Sequence, residues 1–389
     1  MSGVNNAGAL SDRLISEMTE AGHIEGAQSA NIRPASLDLT ISDEIYEVSG
    51  VFQPRPNEKV RQILKKVKKA RHSMNDPLKR NRTYLARLNE RMILPRSVYA
   101  YCNPKSTSGR LDIHIRLLAD GVPRYDTLAS GWPAGRDIRG GSDQVGNTLD
   151  QPGELWVSII TKTFPIKLQP GTALNQMRFF DGDTRFDDTE LEIAMKKDRL
   201  LWSRGGKEPL DFSKLPVKDN DGSLVLGLDC RSSITGFCGR SVNSVLDLSR
   251  VDGYDSDKFF TPIEKQNDNI VLQKDKFYIL SSREAVRVPP HLACEMMPMD
   301  ERSGEFRSHY AGFIDPGWGW GADGEGCGRP LTLEVRPFED LVVRDGQPIA
   351  KIRFERVRET PQEHYDTLNS NYCRQKGPKL AKQFRTNAG

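Results

Sequence analysis

Two ten-residue stretches, PGTALNQMRF at 170–179 and DGQPIAKIRF at 345–354, decide how this chain is read. Each opens on a turn (Pro170-Gly171, Asp345-Gly346), continues through apolar residues (Ala173-Leu174 and Met177, Pro348-Ile349 and Ile352), and closes on Arg178-Phe179 or Arg353-Phe354 at the same distance from the glycine. Upstream the match continues in the same order. Leu155-Trp156-Val157-Ser158-Ile159 parallels Leu331-Thr332-Leu333-Glu334-Val335 with one residue of slack, Leu128-Ala129-Ser130-Gly131-Trp132 parallels Ile314-Asp315-Pro316-Gly317-Trp318, and Ser36-Leu37-Asp38-Leu39 parallels Gly227-Leu228-Asp229. Repeated order with similar spacing is the mark of an internal duplication. It divides the chain into domains at 1–185 and 215–389, with a polar linker at 186–214 and a tail at 360–389.

Local patterning makes both domains mainly β. Short apolar or alternating runs separated by Gly, Pro, Asn and Asp read as strands, at 98–102, 111–118, 173–180, 269–272, 277–280, 291–297, 306–313, 331–335 and 348–354, with 155–168 as a hairpin. Helices are few and short. One spans 10–21, with Leu10, Leu14, Ile15 and Met18 on one side, Ser11 and Asp12 at its start and Gly22 to end it. A modest one lies at 188–201. The strongly basic insert at about 57–91 carries Val60, Ile63, Leu64 and Val67 on one helical face and reads as an amphipathic surface helix.

Composition narrows the function classes. With 37% hydrophobic and 28% charged residues the chain is globular, and no apolar run approaches the roughly 18–20 residues of a membrane span. The N-terminus lacks a signal-peptide pattern, so a cytoplasmic location is expected. A net charge of +3 gives no reason to expect nucleic acid as a partner. The six cysteines are scattered singly, which suits reduced thiols and provides no metal-ligand spacing.

The segments 32–39 (IRPASLDL), 105–111 (KSTSGRL), 311–318 (AGFIDPGW), 331–334 (LTLE) and 371–380 (NYCRQKGPKL) resemble the dCTP deaminase family, in particular its double-length bacterial members. That resemblance implies tandem domains of the dUTPase-like fold (β-clip or jelly-roll-like). It also implies hydrolytic deamination of dCTP to dUTP and ammonia within pyrimidine deoxynucleotide metabolism. Zinc is not expected, because the H-x-E and P-C-x-x-C signatures of zinc deaminases are missing. Mg²⁺ would arrive with the triphosphate, dCTP and dUTP would be the small-molecule partners, and self-association is expected.

Deamination needs a carboxylate that takes a proton from water and returns it to the ring and the leaving amine. Glu334 interrupts an apolar run; on the residues alone it either faces solvent at an edge or is partly buried, and the resemblance makes it the catalytic acid–base. Ser106 and Arg110 would be its catalytic companions, and Lys105 a phosphate contact, in a segment that is also ordinary turn chemistry. Ala311, Asp315 and Trp318 would hold base and sugar. Gln375 and Lys376 belong to a tail that either closes over the triphosphate or remains a loose basic terminus.

The halves differ in complementary ways. The first has the Lys105–Arg110 loop but Ala129 and Ser158 opposite Asp315 and Glu334; the second has the acidic loop Asp300-Glu301-Arg302-Ser303, in which Arg302 would stand for Arg110. This predicts a site composed from both. Two other functions stay open: a dUTP diphosphatase or bifunctional enzyme yielding dUMP through Asp38, Asp229 or Asp315, and a non-catalytic regulator or nucleic-acid binder using the basic insert.

Overall fold

The fold follows from alternation between turns, and the computed structural model describes it for residues 7–133, 151–265, 269–299, 304, 306–309, 312–368, 372 and 375–385. The first half contains α1 (Asp12–Glu20), β1 (Ser36–Val48), α2 (Val60–Lys66), β2 (Thr83–Met92), β3 (Tyr99–Pro104), α3 (Ser106–Arg110), β4 (Ile113–Ala119), β5 (Thr127–Leu128), β6 (Gly153–Thr161) and β7 (Ala173–Phe180). The second contains α4 (Asp188–Asp198), β8 (Ser223–Gly227), β9 (Ile234–Gly239), β10 (Phe260–Glu264), β11 (Tyr278–Val286), β12 (Leu292–Met297), β13 (Phe306–His309), β14 (Phe313–Ile314), β15 (Arg329–Pro337) and β16 (Pro348–Arg356).

The duplication is visible in the strand order. The first sheet runs β4-β6-β2-β1-β7-β3-β5; in the second half the same neighbours recur as β13-β15-β11 and β8-β16-β12-β14. Register agrees as well as order. Ala100 stands between Phe179 and Leu128, just as Cys294 stands between Phe354 and Ile314. The residues after Leu128 and Ile314 are Ala129 and Asp315, so the register sets those two at equivalent places.

Several local expectations need correction. The 155–168 run is not a hairpin: β6 pairs with β2 and β4, whereas Ile166–Lys167 pairs in parallel with Leu246–Asp247 of the second half. The basic insert is helical only over Val60–Lys66, and Thr83–Met92 is a strand in the middle of the first sheet. Its inward residues Ala86, Leu88, Glu90 and Met92 alternate, but Glu90 is buried and accepts from the Thr40 N–H and hydroxyl, which hides the apolar pattern. The 306–313 run divides into β13 and β14. The 188–201 helix stops at Asp198, where Arg199 takes a left-handed cap conformation.

Helix α1 matches its sequence signals. Ser11 caps it by accepting from Leu14 N–H, Ile15 and Met18 face the core, and the Ser11 hydroxyl also donates to Glu359, far along the chain. Just before it, Ala9 exchanges backbone hydrogen bonds with the segment leaving β16 at 2.8 Å. Gly8 is required there, because a Cβ would lie 2.0 Å from Arg358 N.

Two main cores result. One includes Leu37, Leu39, Val157, Met177 and Phe179; the other includes Leu226, Leu280, Leu333, Ile352 and Phe354. The first core is not made by the first half alone. Phe164 meets Phe259 and Phe260 at 5.6 and 5.4 Å between ring centres, and Phe384 from the tail packs on both of them at 5.4 and 5.3 Å. Each buried ring stabilises by about 1.5–3 kcal/mol. Among the described residues no helix is long and apolar enough to cross a membrane.

Between the halves lies Arg178 of β7, with a fully buried side chain. It donates to Glu355 at 3.0 Å, to the carbonyls of Cys294 at 3.1 Å and Ala35 at 3.2 Å, and reaches Asp315 at 3.5 Å. Its guanidinium also covers the Phe313 ring at 4.1 Å. Removing one partner of a buried ion pair leaves the other charge uncompensated. Arg178→Met should therefore lose about 3–5 kcal/mol in urea unfolding, and Arg178→Lys should recover only part of it because an ammonium cannot reproduce the planar fork. A loss below about 1 kcal/mol for the Met variant would show that the halves are held elsewhere.

Candidate active site

Alternation along β15 sends Leu333 and Val335 into the second core and leaves Thr332 and Glu334 on the wall of a cavity of about 390 Å³. Glu334 is 4% exposed, so of its two possible environments the buried one is realised. The opposite wall comes from the first half. There the short helix α3 follows Lys105 directly, and its Ser108 hydroxyl is fixed by the Leu174 carbonyl at 2.7 Å. This brings Ser106, Thr107 and Arg110 to the cavity, with Arg110 Nε 3.9 Å from Glu334 Oε1.

One end of the cavity is cationic. Arg33, Lys105 and Lys382 line it, and Asp38 sits among them, pairing with Lys105 and accepting from Arg33 Nε at 2.8 Å. Asp38 Oδ1 is buried and has no hydrogen-bond partner among the described residues. Towards the second half the walls are Gly312, Phe313, Ile314, Asp315 and Trp318. The turn that presents Trp318 needs Gly317, which has φ +89° and would bring a Cβ within 2.4 Å of the His364 ring. Trp318 packs on Tyr365 at 5.0 Å between ring centres, and its indole N–H has no partner among the described residues.

The tail crosses this cavity. Tyr372 is buried, with its hydroxyl 3.0 Å from Thr107 Oγ1 and its ring 3.9 Å from the Arg110 guanidinium. Gln375, also buried, accepts from Arg110 at 3.1 Å.

Of the residues singled out in the sequence, Ser106, Arg110, Lys105, Asp315, Trp318 and Glu334 converge on one cavity, and Gln375 touches it through Arg110. Lys376 is exposed and does not line the cavity; Lys382 does. Ala311 and the Asp300–Ser303 loop with Arg302 lie outside the described residues. Sequence reasoning missed Arg33, Gln176, Tyr365 and Lys382 as wall residues, and Arg178 as the support behind Asp315. Arg178 was in view only as half of a repeat marker. Its twin Arg353 instead lies 4.0 Å from Asp221 and is less buried. A second cavity of about 300 Å³, near Leu210 and Gly346, has Glu284 as its buried carboxylate, already held by Arg283 and Gly227 N–H.

Residues 6–136 match the N-terminal domain, and residues 198–384 the C-terminal domain, of the 2′-deoxycytidine 5′-triphosphate deaminase family. The chain belongs to that family. It is also similar to the crystal structure of 2′-deoxycytidine 5′-triphosphate deaminase from Agrobacterium tumefaciens, with 29% identity and a TM-score of 0.78 over 92% of this chain and 100% of that one. No curated protein matched the chain by sequence.

In this cavity of the deaminase-family chain, Glu334 and Asp315 are held away from their ordinary behaviour. Burial pushes Glu334 up to about 8, opposed by the positive charge of Arg110. Burial likewise raises Asp315, opposed by Arg178. Lys105 is lowered by burial and supported by Asp38. The Glu334 shift has a definite sign for stability. The unfolded chain releases this proton near 4.5, whereas the folded protein keeps it to about pH 8. Between those values the folded state binds more protons, so stability falls as pH rises. Glu334→Gln removes that loss. Its thermal stability should match the wild type near pH 4 and exceed it near pH 8, by about 4 kcal/mol if the full shift is expressed. A wild-type advantage growing with pH would mean that the carboxylate is held ionised.

Proposed function

We propose that this cavity deaminates dCTP to dUTP and ammonia, with Glu334 as the proton carrier. The carrying observation is the meeting of Arg110 from one half with Glu334 from the other inside one cavity, at 3.9 Å. Water adds at C4 of the cytosine while its proton passes to Glu334. Glu334 passes that proton to ring N3 and then carries the remaining proton of the C4 hydroxyl to the amine, so that C4 keeps the oxygen as a carbonyl and ammonia departs. A carboxylate held near neutrality by burial and one cation suits both transfers, because it gives up and takes protons at similar cost. Ser106 would hold the water through its hydroxyl. Arg110 would balance the charge that Glu334 gains and loses.

The remaining walls divide by chemistry. Arg33, Lys105 and Lys382 suit a triphosphate, whereas Asp315, Trp318 and Phe313 suit the sugar and base. Mg²⁺ would be held by the phosphate oxygens, and Asp38, whose Oδ1 has no hydrogen-bond partner among the described residues, would supply an acceptor for its water shell. The ion would neutralise phosphate charge, and the proton transfers above are assigned to protein groups.

Incubating the protein with dCTP, then separating dCTP, dUTP and dUMP, tests this reading. Release of dUTP with ammonia is expected; dUMP from dCTP would favour a bifunctional enzyme, and dUMP from a parallel incubation with dUTP, with dCTP left unchanged, a diphosphohydrolase. Glu334→Gln should lower kcat by about 10²–10⁴-fold, and Ser106→Ala should also lower it. If Ser106→Ala left deamination intact while Glu334→Gln abolished it, the site would not be shared between the halves.

A further inference from the structure

The tail does more at this cavity than cover it. It is fixed on both sides: Asp366 pairs with Arg329 and accepts from Gly321 N–H at 2.9 Å, and beyond the crossing Gln383 donates to the Leu248 carbonyl at 2.9 Å while Phe384 fills the aromatic cluster of the first core. Between these anchors, three tail groups converge on one guanidinium. Arg110 lies against the Tyr372 ring, donates through Nη1 to the Lys379 carbonyl, and donates through Nη2 to Gln375 Oε1 at 3.1 Å. The other end of the Gln375 amide donates to the Pro330 carbonyl at 2.6 Å. Pro330 belongs to β15, the strand that carries Glu334. Arg110 can only donate and a carbonyl can only accept, so these two partners fix which way the amide points. One side chain thus ties the arginine of the first half to the glutamate-bearing strand of the second.

We infer that Gln375 is a positioning residue that holds Arg110 so that its Nε–H faces Glu334, setting the distance across which cation and carboxylate interact. Arg110 Nε has no hydrogen-bond partner among the described residues and stands 3.9 Å from Glu334 Oε1, longer than a direct hydrogen bond. The guanidinium is therefore held beside the carboxylate by contacts made elsewhere: Gln375 makes the side-chain contact that spans both halves, alongside the Lys379 backbone, whose carbonyl accepts from Arg110 and whose N–H donates to Thr332 of β15 at 3.3 Å.

This inference rests on Glu334 being the group that matters in the cavity, and its test is chosen to separate the two ideas. The charged groups around Glu334 are Arg110 beside it and Asp315, Asp38, Lys105, Arg33 and Lys382 on the cavity walls. Within the sheet its register partners are Ile279 and His309. Of these, Arg110 is the one bound to Gln375. The Glu334 titration can be followed by isotope-edited infrared difference spectroscopy on the full chain without substrate, using Glu334→Gln to assign the band. Gln375→Met keeps the volume and removes both hydrogen bonds. Loosening Arg110 weakens the charge that favours ionised Glu334, so the midpoint should rise by at least about half a pH unit. With dCTP, kcat at neutral pH should fall about tenfold while KM changes much less. Gln375→Glu, which keeps an oxygen for Arg110, should recover part of that kcat.

A midpoint unmoved in Gln375→Met, or a defect confined to KM, would overturn the positioning role. A midpoint that moves in a protein that never turns over dCTP would sustain this inference and defeat the functional reading instead.

Discussion

A guanidinium with no access to water must find its partners inside the protein, and Arg178 finds them on both sides of the duplication. Its own strand belongs to the first half, yet Glu355, the Cys294 carbonyl and Asp315 belong to the second. Burial pushes Glu355 up, with Arg178 pulling it back down. The desolvation cost of such a pair is recovered only with complete geometry, so the arrangement punishes any relative sliding of the halves. The cavity depends on that. Asp315 faces it from beside Arg178, and Arg110 of α3 and Glu334 of β15 meet across it from the two halves that Arg178 joins.

The duplication itself was readable because strands tolerate substitution while their turns and register do not. Gly171 and Gly346, then Arg178-Phe179 and Arg353-Phe354, occupy matching places in β7 and β16. The loss in the first half was readable for the same reason: Ser158 and Glu334 lie in matching strands β6 and β15, facing Leu85 and Ile279 respectively. Strand β2 was hidden because a buried polar network, Glu90 with Thr40, takes a place where an apolar residue would have signalled the inward face. The pairing of Ile166–Lys167 with Leu246–Asp247 was hidden because parallel contacts between distant segments leave no local trace.

Individual site residues follow the same division. Glu334 stood out as a charge in an apolar run, and its burial bears on chemistry because it moves the proton affinity towards neutrality. Arg178 carried no comparable signal, since an arginine ending an apolar strand reads as a surface residue. Lys376 and Lys382 could not be ranked from sequence: both lie in a basic tail, and only the path of the chain across the cavity puts Lys382 on its wall and Lys376 in solvent. Sequence spacing reports the faces of regular elements well. It says little about a strap without regular structure.

The aromatic cluster around Phe164 has a consequence for how the molecule comes into being. Phe259, Phe260 and Phe384 lie far downstream of the ring they enclose. During synthesis the first half therefore leaves the ribosome with an open hydrophobic face, and that face waits for most of the remaining chain before it is covered. Domains that finish early on their own are the usual protection against aggregation of nascent chains. Here that protection is given up, and the long-range closures make folding slow by topology.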